Sequence, residues 1–258
     1  MYNDMSIGIF DSGLGGIGVL KLAREMLPHE NFIYYGDNKN SPYGTKSPEK
    51  ILELTKNSVE FLTDKKVKVI VIACNTATSI AVEQLRTTLD IPVISMEPAV
   101  KVGLKYRNNG KVVVLATPAT VSQKRYKDLI TRLSLPSNVI SIACEGLSEM
   151  IEELSFDDER IYSYIFNKLS GYKLENLDSL VLGCTHYVFI KDVVIKALND
   201  LNIYIPVVDG NMGTVKHLKK VLDNFGILNQ NKDEGKIQIY TSKQDKNLLA
   251  SFEKALYG

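Results

Sequence analysis

Nine short runs rich in isoleucine and valine punctuate this chain: "SIGIF", "NFIYY", "VKVIVIA", "IPVIS", "KVVVLA", "NVISIA", "SLVLG", "IPVV" and "KIQIYT". Longer amphipathic stretches separate them. Runs with so little polar alternation read as strands buried on both faces, and the stretches between them are long enough to be helical crossovers. Such alternation predicts an α/β fold, a mostly parallel sheet with helices on its faces. One stretch carries its own start signal. Ser47 is placed to cap, and Pro48 to begin, a helix whose apolar positions are Ile51, Leu54, Phe61 and Leu62.

The runs also repeat. "IGIFDSG" at Ile7 resembles "VVLATPA" at Val113, "VIVIACNT" resembles "SLVLGCTH", and "IPVISME" at Ile91 resembles "IPVVDGN" at Ile205. Matched order and near-constant spacing predict two similar α/β domains, each of ordinary size, with an active site in the cleft between them. The expected division is 1–97 plus 207–258 for the first and 98–206 for the second, the tail packing back on the first half.

Charge is balanced at 31 basic and 30 acidic residues, and no block of five like charges is present, so no nucleic-acid or membrane partner is expected. No basic start followed by an apolar core opens the chain, and no apolar run approaches the roughly 18 residues of a membrane span. The expectation is a soluble cytoplasmic protein acting on a small molecule. Cys74, Cys144 and Cys184 form no C-x-x-C pair, so neither a zinc knuckle nor a disulfide framework is expected, and no metal.

Two features carry chemistry. The first is "GIFDSGLGGIGVL", in which Gly13, Gly15 and Gly18 spell G-x-G-x-x-G after a strand. Asp37 lies roughly 20 residues further on, where a ribose-binding carboxylate would fall. Against a dinucleotide, Asp11 would meet a pyrophosphate with like charge; a plain strand-to-helix turn is the other reading. The second feature is a cysteine at the end of a strand in each half, Cys74 in "IACNTATS" and Cys184 in "LGCTHY". Ligands collect at the carboxyl ends of parallel strands, and a following helix N-terminus favours a thiolate. A lone cysteine is more often packing, which is the reading for Cys144; two at equivalent places in a repeat point to function.

Elimination narrows the thiol chemistry. A cysteine phosphatase places arginine six residues after its nucleophile, but Ile80, Met150 and Ile190 stand there. A cysteine hydrolase needs one thiol and a histidine, and His186 is available to Cys184, but Cys74 is then idle. Two thiols facing one ligand suit removal of a proton from carbon on one face and its return on the other, which inverts a stereocentre.

"IGIFDSGLGGIGVL", "YYGDNKNSPYG", "VIACNTAT" and "LGCTHY", in this order and spacing, resemble the cofactor-independent glutamate racemases of bacterial cell-wall synthesis. The resemblance implies that Cys74 and Cys184 are the acid/base thiols, the first serving the D-enantiomer and the second the L-enantiomer, with no cofactor. It implies that Asp11 and His186 tune them, and that Ser12, Tyr43, Gly44, Asn75, Thr76, Thr120 and Thr185 bind the amino acid. Glu152 falls where the family carries an acidic residue near the second thiol, although its helix pattern alone reads as a solvated carboxylate. Asp11 as a helix cap, His186 as a turn residue and "SPYG" as simple turn chemistry are the corresponding bland readings. Aspartate or hydantoin racemisation is the alternative within the same chemistry, and family members are often dimers, which makes a homodimer the expected assembly. The segment "ACEGL" departs from the family's C-P-x-F, Ala119 replaces a glycine and Val188 a proline; no thiol is lost.

Overall fold

The computed structural model describes residues 2–133, 136–153, 159–172, 174–243 and 245–257. Each of the nine apolar runs forms a strand: β1 (Ile7–Asp11), β2 (Phe32–Gly36), β3 (Val69–Ile72), β4 (Val93–Ser95), β5 (Lys111–Ala116), β6 (Val139–Ala143), β7 (Leu177–Leu182), β8 (Val207–Asp209) and β9 (Ile237–Thr241). Helices α1 (Ile17–Met26), α2 (Pro48–Asp64) and α3 (Asn75–Thr88) connect the first four strands. In the second half come α4 (Val100–Gly103), α5 (Pro118–Ser122), α6 (Lys124–Arg132), α7 (Leu147–Glu152), α8 (Glu159–Ser170) and α9 (Lys191–Asp200), and α10 (Asn211–Phe225) and α11 (Lys246–Tyr257) flank β9.

The strands form two sheets, β4-β3-β1-β2-β9 and β6-β5-β7-β8, and every pairing is parallel. Matching β1, β2, β3 and β4 to β5, β6, β7 and β8 turns one order into the other, so the repeat in the sequence is a repeat in topology. Strand β9 extends the first sheet beyond β2. Strand β8 pairs with β7 through Leu182 and Asp209, so the chain leaves the second sheet after Asp209. A division at 206 would cut β8 from the ladder that holds it.

Both faces of each sheet are covered, which is why the runs are continuously apolar. Ile7 and Ile9 of β1 pack with Leu20, Leu218 and Phe252 of α1, α10 and α11, while Phe10 points the other way to Ile51, Leu62 and Ala81 of α2 and α3. In β5, Val113 and Leu115 meet Ile165 and Val194, and Val112 and Val114 meet Val100 and Tyr126.

Helix α2 begins as its sequence dictates. Ser47 Oγ accepts from Lys50 N at 3.3 Å and Pro48 takes the first turn, where its missing N–H costs nothing. Ile51, Leu54 and Leu62 are buried, and Phe61 stacks on Tyr35 with ring centroids 4.5 Å apart. Replacing Ser47 by alanine is expected to lower stability by about 1 kcal/mol and by glycine only a few tenths, read from urea unfolding midpoints.

Candidate active site

The two thiols occupy corresponding strand ends. Cys74 follows β3 and caps α3, its sulfur accepting from Ala77 N at 3.4 Å. Because β1 is the neighbour of β3, the residue just after β1 reaches the same spot, and Cys74 Sγ donates to Ser12 Oγ at 3.5 Å. In the second half Cys184 follows β7, with its sulfur 3.7 Å from His186 Nδ1 and 3.8 Å from Ser148 Oγ. Cys184 is not followed directly by an α-helix as its sequence suggests; a 3-10 turn, His186–Ile190, comes first and then α9. Cys144 is a core residue, surrounded by Leu147, Ile161, Ile165 and Tyr187.

Contacts between the halves complete the site. Asp11 accepts from Gly13 N at 2.9 Å and, through its other oxygen, from Thr185 Oγ1 at 3.0 Å. Glu152 Oε1 accepts from Leu14 N at 3.2 Å, from Ser41 Oγ at 3.0 Å and from His186 Nε2 at 2.5 Å. The solvated reading of Glu152 is therefore wrong: a helix-face carboxylate looks the same in sequence whether the face meets water or another domain. Thr76 Oγ1 lies 2.9 Å from Thr117 Oγ1 and 3.4 Å from Thr120 Oγ1, and Gly44 lies against the Thr117 side chain.

The glycine pattern after β1 now has an explanation without a nucleotide. A side chain at Gly13 would overlap the Glu152 carboxylate, and one at Gly15 would overlap Thr185. These glycines let the first half approach the second closely. Asp37, the apparent ribose ligand, is instead buried under Tyr43, whose hydroxyl donates to it at 2.7 Å, and Asn40 bonds both its oxygens. Tyr43 thus lines the site with its hydroxyl already committed.

Burial sets the charges. Cys74 and Cys184 are only 5% and 7% exposed, so both sulfurs are largely shielded from water. Burial, reinforced by the Asp11 carboxylate, pushes the Cys74 thiol up to about 12, against the weaker pull of Ser12 and the Ala77 N–H. The thiolate expected from a helix N-terminus is not the resting state here, because one N–H contact does not offset desolvation. Burial also raises Asp11, countered in part by His186, Gly13 N and Thr185. Burial by itself would raise Glu152, yet His186, Leu14 N and Ser41 hold it below the usual carboxylate range. For His186 burial opposes the charge, but hydrogen bonds to Cys184 and Glu152 win and raise it well above an ordinary imidazole. Both the His186 imidazole beside one sulfur and the Cys74 thiol opposite thus hold their protons more tightly than the free groups do.

Comparison with known proteins agrees with this geometry. The model of the family described as Asp/Glu/Hydantoin racemase matches residues 18–218. The chain belongs to that family. It is 43% identical over 244 residues to a glutamate racemase of Clostridium acetobutylicum, covering 94% of this chain and 94% of the relative. Its fold is similar to a glutamate racemase of Francisella tularensis solved in complex with D-glutamate, with a TM-score of 0.86, 32% identity and coverage of 99% and 95%. It is similar also to a glutamate racemase isoform of Bacillus anthracis, with a TM-score of 0.88, 30% identity and coverage of 98% and 94%.

In this Asp/Glu/hydantoin racemase, the residues singled out from sequence converge around the two thiols or on the loops beside them, all of them buried except Glu152, which is largely so. Asn75 contributes an Oδ1 that is buried and, among the described residues, without a hydrogen-bond partner. Ser41, Thr117 and Ser148 escape a sequence reading, since a serine or threonine in a turn or short helix has no signature of its own. Thr117 did carry one signal, as the cap three residues before Thr120, whose N–H it accepts at 3.2 Å. Among the described residues no three His, Cys, Asp or Glu side chains are grouped to hold a metal, and no helix is long and apolar enough to cross a membrane.

Proposed function

We propose that this chain interconverts L-glutamate and D-glutamate by proton transfer between two thiols and the alpha carbon, supplying D-glutamate for peptidoglycan. The observation that carries the reading is the pair of buried thiols at equivalent strand ends of two sheets that share a four-strand topology, one beside the His186 imidazole and one beside the Ser12 hydroxyl. The Cys74 thiol, whose proton burial holds more tightly, is the proton donor, and Cys184, with His186 against its sulfur, is the base for L-glutamate. Cys184 as thiolate takes the alpha proton, leaving the bonding pair on carbon and its carboxylate. Cys74 then gives its S–H proton to the opposite face. D-glutamate leaves, Cys184 holds the proton and Cys74 the charge, and the reverse reaction or exchange with water resets the pair.

Binding follows from the same elements. Backbone N–H groups at the start of α3, the Asn75 side-chain amide N–H and the Thr76 hydroxyl, with Thr185 opposite, suit carboxylates. Ser12, Tyr43, Gly44 and Thr120 form the adjoining wall, and the Asn75 Oδ1 suits the ammonium. Closure excludes water, which strengthens each of these contacts on the developing carbanion. The glutamate racemase relatives support glutamate as the substrate. Cytoplasmic residence and a homodimer belong to the same reading.

Incubation with L-glutamate in heavy water, without added cofactor, tests it. Deuterium is expected at the alpha carbon together with loss of optical activity, and with aspartate far slower. Absence of exchange into glutamate would remove the proposal. The Glu152, His186 and Cys184 chain also has the order of a hydrolase triad. That reading leaves Cys74 and Ser12 without a role, and predicts turnover of an activated glutamate ester that survives Cys74→Ala.

A further inference from the structure

Helix α7 presents two polar side chains one turn apart to the second thiol. Glu152 reaches it indirectly, through His186, while Ser148, four residues earlier on the same helix face, touches the sulfur itself at 3.8 Å. Ser148 is buried, at 4% exposure. The first half has one such pair, Ser12 against Cys74 at 3.5 Å. The two serines are not related by the repeat. Where "IGIFDSG" aligns with "VVLATPA", the position of Ser12 is taken by Pro118, which has no hydroxyl, and the neighbouring Thr117 faces Thr76 instead. The second thiol therefore takes its hydroxyl from a different element, the segment "EGLSEMIE" that departs from the family pattern.

We propose that Ser148 is a positioning residue for Cys184, orienting its sulfur and donating a hydrogen bond to it as a thiolate, the counterpart of Ser12 at Cys74. The inference rests on the two-thiol reading for its kinetic consequence but not for its chemistry. A buried sulfur anion surrounded by Leu147, Tyr187 and Ile190 has few donors available, and a hydroxyl hydrogen bond to a charged partner is among the stronger single contacts. The Tyr187 hydroxyl donates to the Cys144 carbonyl at 3.2 Å and also lies beside the Ser148 hydroxyl, and Ser148 and His186 are the described side chains placed against the Cys184 sulfur.

Two measurements on Ser148→Ala, with Ser148→Thr as the variant that keeps the hydroxyl, test the inference. In the first, alkylation by iodoacetamide at neutral pH is followed at each cysteine by mass spectrometry. Cys184 is expected to react about tenfold more slowly in the alanine variant, with Cys74 unchanged and the threonine variant partly restored. In the second, alpha-deuterium isotope effects are measured in both directions. Slowing transfer at Cys184 raises the effect with deuterated L-glutamate, since that step breaks the labelled bond. It lowers the effect with deuterated D-glutamate, whose labelled bond breaks at Cys74. A general loss of structure would slow both directions and leave the two effects in their original ratio. Unchanged Cys184 alkylation, or isotope effects that move together, overturns the inference. A selective loss of Cys184 reactivity in a protein that does not racemise glutamate would uphold Ser148 and sink the proposed function instead.

Discussion

Replacing either Cys74 or Cys184 by alanine is expected to reduce racemisation about 10⁴-fold or more, while Cys144→Ala keeps nearly full activity. The first two expectations follow from the geometry of inversion. A single thiol can remove and return a proton only on its own face, so loss of either sulfur leaves exchange without inversion at best, and the missing acid/base step alone accounts for 10²- to 10⁴-fold. The surviving sulfur gains nothing in compensation, because each has its own hydroxyl partner, Ser12 or Ser148, on its own side of the cleft. Cys144, by contrast, belongs to the core cluster of Leu147, Ile161, Ile165 and Tyr187, and its thiol donates to the Ile142 carbonyl at 3.7 Å. Its removal costs packing, not chemistry. Polarimetry on the three variants separates the cases, and full activity in Cys74→Ala or Cys184→Ala is incompatible with a two-thiol mechanism.

His186→Asn is expected to lower kcat by about 10²- to 10⁴-fold, and Glu152→Gln by less. His186 touches Cys184 through Nδ1 and Glu152 through Nε2, so the carboxylate acts on the sulfur only by orienting and charging the ring. A residue that works through another shows strong non-additivity: the double variant should be little worse than His186→Asn alone. Independent losses that multiply would break this chain of action. Glu152 also accepts from Leu14 N and Ser41 Oγ across the cleft, so its substitution should raise KM as the closed form weakens. The pH dependence has a definite sign. His186 has its proton affinity raised in the folded chain, so the stability it contributes is complete below about pH 6.5 and is lost as pH rises through the raised value. Activity that needs the imidazolium falls on the same alkaline side, and that limb should be absent in His186→Asn.

Much of the site was legible because its signals are local. A cysteine immediately after a buried strand is at the carboxyl edge of a parallel sheet wherever that sheet goes, and the repeat doubled the signal at Cys74 and Cys184. Asp11 and Ser12 follow from the same rule applied to β1. Ser41, Thr117 and Ser148 did not follow, because each acquires its role from a partner in a remote segment: Glu152, Thr76 and Cys184. Glu152 shows the limit most plainly. Its spacing along α7 suits solvent as well as it suits Leu14 and His186, and only the facing domain distinguishes them. The same applies to Gly13 and Gly15, whose spacing mimics a nucleotide turn while their use is to clear Glu152 and Thr185.

The sequence by itself determined the parallel α/β architecture, its duplication and the placement of two thiols at strand ends, since strands covered on both faces must be apolar throughout and a strand's end is where its run stops. Tertiary structure alone decided how tightly Cys74 holds its proton and which side chains attend each thiol. Desolvation of Cys74 depends on everything packed around it, and overrides the helix N-terminus that sequence reasoning favours. The Glu152, His186, Cys184 and Ser148 cluster exists only because α7, the turn after β7 and the loops of the first half meet in one closed cleft.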